Sequence, residues 1–96
     1  MLHLINESPF ESNSLDDCLR YASKGSPILL FEDGVYAALD GTRLSEKMSG
    51  VAQEYKLYAL KEDLALRGLD KLISGVNVVD YAGFVELVEE NKPASW

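Results

Sequence analysis

The chain is poor in the residues that most often carry chemistry: it has one cysteine, Cys18, one histidine, His3, and one tryptophan, Trp96, in 96 residues. A single cysteine excludes an internal disulfide and a cysteine-rich zinc site, and fits a reducing compartment. One His and one Cys cannot build a His-rich metal site, so neither metal nor cofactor is expected. Basic residues are also scarce, 9 against 16 acidic, and the net charge of −7 disfavours direct contact with nucleic-acid phosphates. The apolar run Ile28-Leu29-Leu30-Phe31 is far short of the ~20 residues that a membrane-spanning helix needs. Met1 to Asn6 lacks the basic start of a signal peptide, so a soluble cytoplasmic protein with no membrane contact is expected.

Several enzyme classes fall with these absences. The chain is too short for a (β/α)₈ barrel or a full dinucleotide-binding fold. No G-x-G-x-x-G or Walker A run follows a strand, no Cys-x-x-Cys offers a dithiol, and no G-x-S-x-G elbow awaits His3 as a base. A phospho-accepting receiver would need an acidic pair after the first strand, where Asn6-Glu7 stands. Asp33 and Lys61, after the second and third strands, do not rescue it in so short a chain.

What is present is the pattern of an ordinary globular domain, 47% hydrophobic and 26% charged, with no repeat or linker. Residues 1–96 are expected to form one domain. Leu2 to Ile5 reads as a first strand. Ser14-Leu15-Asp16-Asp17 has the form of a capping box, and Leu15, Cys18, Leu19 and Ala22 share one helical face, ended by Gly25. Ile28 to Phe31 is apolar without alternation, as in a central parallel strand. A turn at Glu32-Asp33-Gly34 leads to Val35–Leu39, which could begin a helix, and Arg43 to Ala52 is a helix or an irregular crossover. Tyr55 to Leu60 and Val76 to Val79 are strands. Lys61 to Arg67 is a short helix closed by Gly68, and Asp80 caps a last helix with Tyr81, Phe84, Val85 and Val88 on one face. Strands alternating with helices imply right-handed βαβ units and a small α/β sandwich with a mostly parallel sheet of four or five strands.

The candidate functional residues each carry two readings. Cys18 is the only candidate nucleophile. A helix start would lower its pKa, whereas Asp16, Asp17 and the apolar spacing favour a small buried hydrophobe. His3 faces away from Leu2 and Leu4, and reads as a hydrogen-bonded structural histidine or, alternatively, a proton shuttle. Asp33 serves the turn or caps the next segment. Tyr36 stands where a cleft beyond the strand ends would be lined. Lys61-Glu62-Asp63 is a solvated helix start or the rim of a partner surface. Trp96 ends a polar tail, either disordered or an anchor in an interface.

Asn6-Glu7-Ser8-Pro9-Phe10, Leu29-Leu30-Phe31-Glu32-Asp33-Gly34-Val35-Tyr36-Ala37-Ala38, the stretch from Tyr58 to Gly68, Val79-Asp80-Tyr81 with Phe84, and the closing Trp96 together resemble the DsrH/TusB family. The resemblance runs over essentially the whole chain in order. It implies a flavodoxin-like three-layer α/β subunit that joins DsrE/TusD-like and DsrF/TusC-like subunits in a heterohexamer, with Trp96 and Tyr36 as interface candidates. Such a complex relays sulfur as a cysteine persulfide, towards 2-thiolation of the tRNA wobble uridine in the TusB branch and in sulfur oxidation in the DsrH branch. The main sulfur-accepting cysteine belongs to the DsrE/TusD-type subunit. Cys18 matches a cysteine of DsrH-type members, which implies a secondary persulfide carrier, beside the reading as a core residue. A non-catalytic structural subunit is the other function class. Without partners, the chain is expected to dimerise through the surface meant for them.

Overall fold

The apolar segments pair into one all-parallel, five-stranded sheet in the computed structural model, which describes residues 1–96. The strands are β1 (Leu2–Ile5), β2 (Pro27–Leu30), β3 (Lys56–Leu60), β4 (Asn77–Val79) and β5 (Pro93–Ser95), in the order β4-β3-β2-β1-β5. Helices α1 (Ser14–Tyr21), α2 (Ser45–Glu54), α3 (Lys61–Leu66) and α4 (Tyr81–Glu90), and a 3₁₀ segment at Glu32–Ala38, lie between them. The expected three-layer α/β sandwich is therefore present.

Topology explains the layers. From β1 to β4 each strand is added on the same side of the one before, so right-handed crossovers put α1, α2 and α3 on one face. The step from β4 to β5 jumps back across the whole sheet, and the same handedness puts α4 on the opposite face. His3, Ile28 and Leu57 are in register, as are Ile5, Leu30 and Ala59. They point to the first face, where Ile28, Leu30, Leu57 and Ala59 form the main core with Leu15, Cys18, Met48, Val51 and Leu64. Leu4, Leu29 and Tyr58 share the second face. Five strands at about 4.8 Å spacing are roughly 19 Å wide, and one helix is about 10 Å thick, so α4 alone leaves part of this face thinly covered. Leu29 is fully buried there, but α4 itself contains no buried residue. No helix is long and apolar enough to cross a membrane.

Local chemistry departs from the expected pattern in four places. The capping box does not form: Asn13 precedes α1 without a side-chain cap bond, and the Ser14 hydroxyl donates instead to Glu7 Oε1 at 2.6 Å. Helix α1 stops at Tyr21 because Ala22 is already extended (φ −69°, ψ 139°). Gly25 is left-handed (φ +88°) in the turn after it, where its N–H donates to the Glu54 carbonyl at 2.7 Å. The segment after β2 is a 3₁₀ helix, not an α-helix, and begins at Glu32. The polar tail is the edge strand β5, tied to β1 by Leu2 N–H to the Lys92 carbonyl (2.8 Å) and Trp96 N–H to the Leu4 carbonyl (3.1 Å). Asp80 caps α4 as its sequence requires, its carboxylate accepting the Gly83 N–H at 2.9 Å.

Candidate functional site

The carboxyl ends of β1, β2 and β3 carry the most closely constrained backbone in the molecule. Phe31 N–H donates to the Ile5 carbonyl at 3.0 Å, bringing the start of the 3₁₀ segment onto the end of β1. Gly34 then passes so close that a Cβ on it would lie 2.1 Å from the Ile5 oxygen, which leaves room for glycine alone. Two residues earlier, Glu32 takes φ +48°, a left-handed conformation that non-glycine residues rarely adopt. Its N–H is held at 2.6 Å by the carboxylate of Asp63, from α3.

Arg67 completes this clamp. Its guanidinium donates to Asp33 Oδ1 from Nε (3.0 Å) and Nη2 (2.9 Å), and from Nη1 to the Asp63 carbonyl (3.2 Å). The side chains of Arg67 and Asp63 are only 18% and 19% exposed, so their pairing is more strongly felt than a surface ion pair. Asp33 therefore serves neither turn nor cap; it is one jaw of a cross-element ion pair.

Two neighbouring clefts share Phe10 and Glu11, and one of them reaches the clamp at Asp33. One of about 340 Å³ is lined by Ser8, Phe10, Glu11, Asp33 and Tyr36, which puts Tyr36 at the strand ends as expected. The other, about 380 Å³, lies between the starts of α1 and α2, and Arg43, Lys47 and Asp16 are among its lining residues. Phe10 borders both, and the Arg43 guanidinium stands over its ring at 5.2 Å, a cation–π contact. Lys47 is paired with Asp16. Positive and negative groups are interleaved in the larger cleft, whereas the charged lining residues of the smaller one, Glu11 and Asp33, are both acidic.

Cys18 lines neither cleft, nor the third, which Met1, His3 and Tyr21 border at the amino ends of the strands. It is fully buried in the main core, and burial pushes its thiol up to about 11. The desolvation of a thiolate is the cause of that shift, and it outweighs the helix dipole. His3 is also buried, and accepts a hydrogen bond at Nδ1 from Trp96 Nε1–H at 3.1 Å. That bond requires a neutral ring with its proton on Nε2. Burial, and then the nearby amino terminus, hold His3 below the usual imidazole pKa. Tyr21 packs on both rings, 6.4 Å from His3 and 5.6 Å from Trp96.

The structure thus joins Trp96 to His3 and Tyr21, places Tyr36 in a cleft with Asp33, and leaves Cys18 apart from both groups. Sequence reading missed the clamp, although the i, i+4 spacing of Asp63 and Arg67 was a signal for an ion pair on one helix face.

Comparison with known proteins adds a family and a fold. A family model described as "DsrH like protein" matches residues 7–94. Among curated relatives, Protein TusB of Shigella flexneri is 38% identical and Protein TusB of Escherichia coli O1:K1 / APEC 40% identical, each over the full length of both chains. Among solved structures, the ychN protein from E. coli superposes with a TM-score of 0.79 at 20% identity, covering 99% of this chain and 97% of its own. A protein of unknown function from Methanobacterium thermoautotrophicum gives 0.72 at 18% identity, covering 99% and 96%. At those identities the two structures speak for the fold alone.

Proposed function

The chain belongs to the DsrH-like family, and from that membership we propose that it is a subunit of a sulfur-relay complex serving 2-thiolation of the tRNA wobble uridine. Full-length identity of about 40% to TusB proteins carries this reading. The persulfide chemistry rests mainly on a partner of the DsrE/TusD type, completed by one of the DsrF/TusC type in a heterohexamer. A persulfide carrier needs an ionised thiol within reach of its donor, and Cys18 is buried with its thiol pushed up to about 11. Within this chain Cys18 is accordingly a packing residue, and the subunit acts by completing the assembly. Deleting the gene and measuring wobble 2-thiouridine by mass spectrometry of digested tRNA tests the pathway. Loss of the thiolated nucleoside is expected, and an unchanged level overturns it.

A second reading starts from the cysteine in α1, which the resemblance to DsrH-type proteins implies is a secondary persulfide carrier. Under it the complex works in sulfur oxidation and Cys18 receives sulfur from a partner. Offering a persulfide donor to the assembled complex separates the two. A mass increase of one sulfur atom on Cys18 supports the carrier, and full relay by a Cys18→Ser complex supports the packing role.

A further inference from the structure

Helix α4 is the one layer on the second face of the sheet, yet it buries none of its own residues completely. Its outward side is divided along its length. Tyr81, Ala82 and Val85 are exposed in its first half, with Tyr81 63% and Val85 38% accessible. Glu86, Glu89 and Glu90 are exposed in its second half. No basic residue lies in its last turn, and none of these three carboxylates takes part in an ion pair within the chain. Carboxylates at a helix C-terminus also oppose the helix dipole, so the arrangement is unfavourable for the isolated fold.

We propose that the outer side of α4 is a docking surface for a different protein chain, one that presents an apolar patch bordered by lysine or arginine. Tyr81 and Val85 supply the apolar centre, and Glu86, Glu89 and Glu90 supply the charge that such a border complements. The partner's cations would relieve both the mutual repulsion of the carboxylates and their conflict with the helix dipole. A second copy of this chain is a poor occupant, because α4 holds no basic residue, and a two-fold contact between two such helices would leave the carboxylates without cations whichever half they met. The second face, too wide for one helix, gives the partner further apolar surface at Tyr58 and Phe84, both only partly buried.

The proposal rests on the relay reading for the probe, which is the pair of DsrE-like and DsrF-like subunits from the same organism. Affinity is measured by calorimetry for the wild-type chain, for Glu86→Lys/Glu89→Lys, for Tyr81→Ala, and for a control reversal on α2, Glu46→Lys/Glu54→Lys. All sites are exposed, and circular dichroism checks folding. Binding weakened at least tenfold by the α4 changes and less than threefold by the control is expected, with the charge-reversal effect shrinking at high salt. Wild-type binding unaffected by the α4 changes overturns the docking face and leaves the relay reading standing. Absence of wild-type binding overturns both.

Discussion

The buried thiol gives a sharp expectation for chemistry at Cys18. Its pKa rises from 9.0 to about 11, a difference of about 2, so the thiolate fraction at neutral pH falls roughly 100-fold below that of a free cysteine. Burial adds to this, because a bulky disulfide reagent reaches a fully buried sulfur only when the surrounding core opens. For a domain of ordinary stability, global opening slows labelling by ~10³-fold or more. Native protein should therefore react with the disulfide reagent dithiobis(nitrobenzoate) orders of magnitude more slowly than the urea-unfolded chain. Urea at sub-denaturing concentrations should speed the reaction in step with the falling stability.

The same ionisation has a signature in stability. The folded state keeps the thiol protonated to higher pH than the unfolded state does. Between 9.0 and about 11 the unfolded chain therefore loses its proton first, and stability falls as pH rises through that window. The loss approaches about 3 kcal/mol at its upper end, and Cys18→Ala should abolish this component of the alkaline slope. Cys18→Ser puts a hydroxyl into an apolar core and should cost about 1–3 kcal/mol. Native labelling within tenfold of the unfolded rate, indifferent to urea, would refute the account and make Cys18 an accessible nucleophile after all.

Three further expectations concern contacts at the ends of the sheet. Gly34→Ala drives a methyl into the Ile5 carbonyl and should destabilise by about 3 kcal/mol in urea titration; a change under about 1 kcal/mol would mean the backbone yields freely there. Asp63→Ala frees the Glu32 N–H and removes one partner of Arg67, costing about 1–3 kcal/mol, and an unchanged midpoint would show that left-handed Glu32 needs no such support. His3 is held below its ordinary pKa, so the unfolded chain binds the proton first as pH falls through 6.5. Stability should then decline with a slope of at most about 1.4 kcal/mol per pH unit, and Trp96 fluorescence should change with it. His3→Gln should remove that acid slope, and its persistence would assign it elsewhere.

Where periodicity and punctuation decide structure, the sequence was legible. The unbroken apolar run at β2, the facing Leu15 and Cys18 of α1 and the Asp80 cap all arise from interactions within a few residues. The failures share a cause. Ser14 satisfies Glu7 rather than its own helix because the loop after β1 folds back within reach. Pro93–Ser95 looks like a tail because nothing local marks it as a strand; its pairing partner lies at the other end of the chain, at Leu2 to Leu4. The clamp was missed for the same reason, since Asp33 and Arg67 meet only when β2 and β3 are neighbours. The cleft position of Tyr36 was legible from its place beyond a strand end, whereas Cys18 was ambiguous, because helix start and apolar face point in opposite directions until burial is known.

One topological event connects the features that matter most for assembly. Had the fourth crossover continued the direction of the first three, α4 would have joined the crowded face and β5 would have extended the sheet beyond β4. By reversing, the chain leaves β4 as an outer strand, with Val78 47% exposed, and sends a single helix across the second face. It also brings the last strand beside the first, which is what seats Trp96 on His3. Trp96 is thus committed within its own chain on the α1 side of the sheet, whereas Tyr81 and Val85 remain outward on the α4 side. Surface left uncovered by the reversal is the apolar area that burial against another chain would remove from water, which is the basis of the proposed docking face. The exposed tyrosine and unpaired carboxylates of the α4 side are thus a product of the same reversal that seats Trp96 on His3.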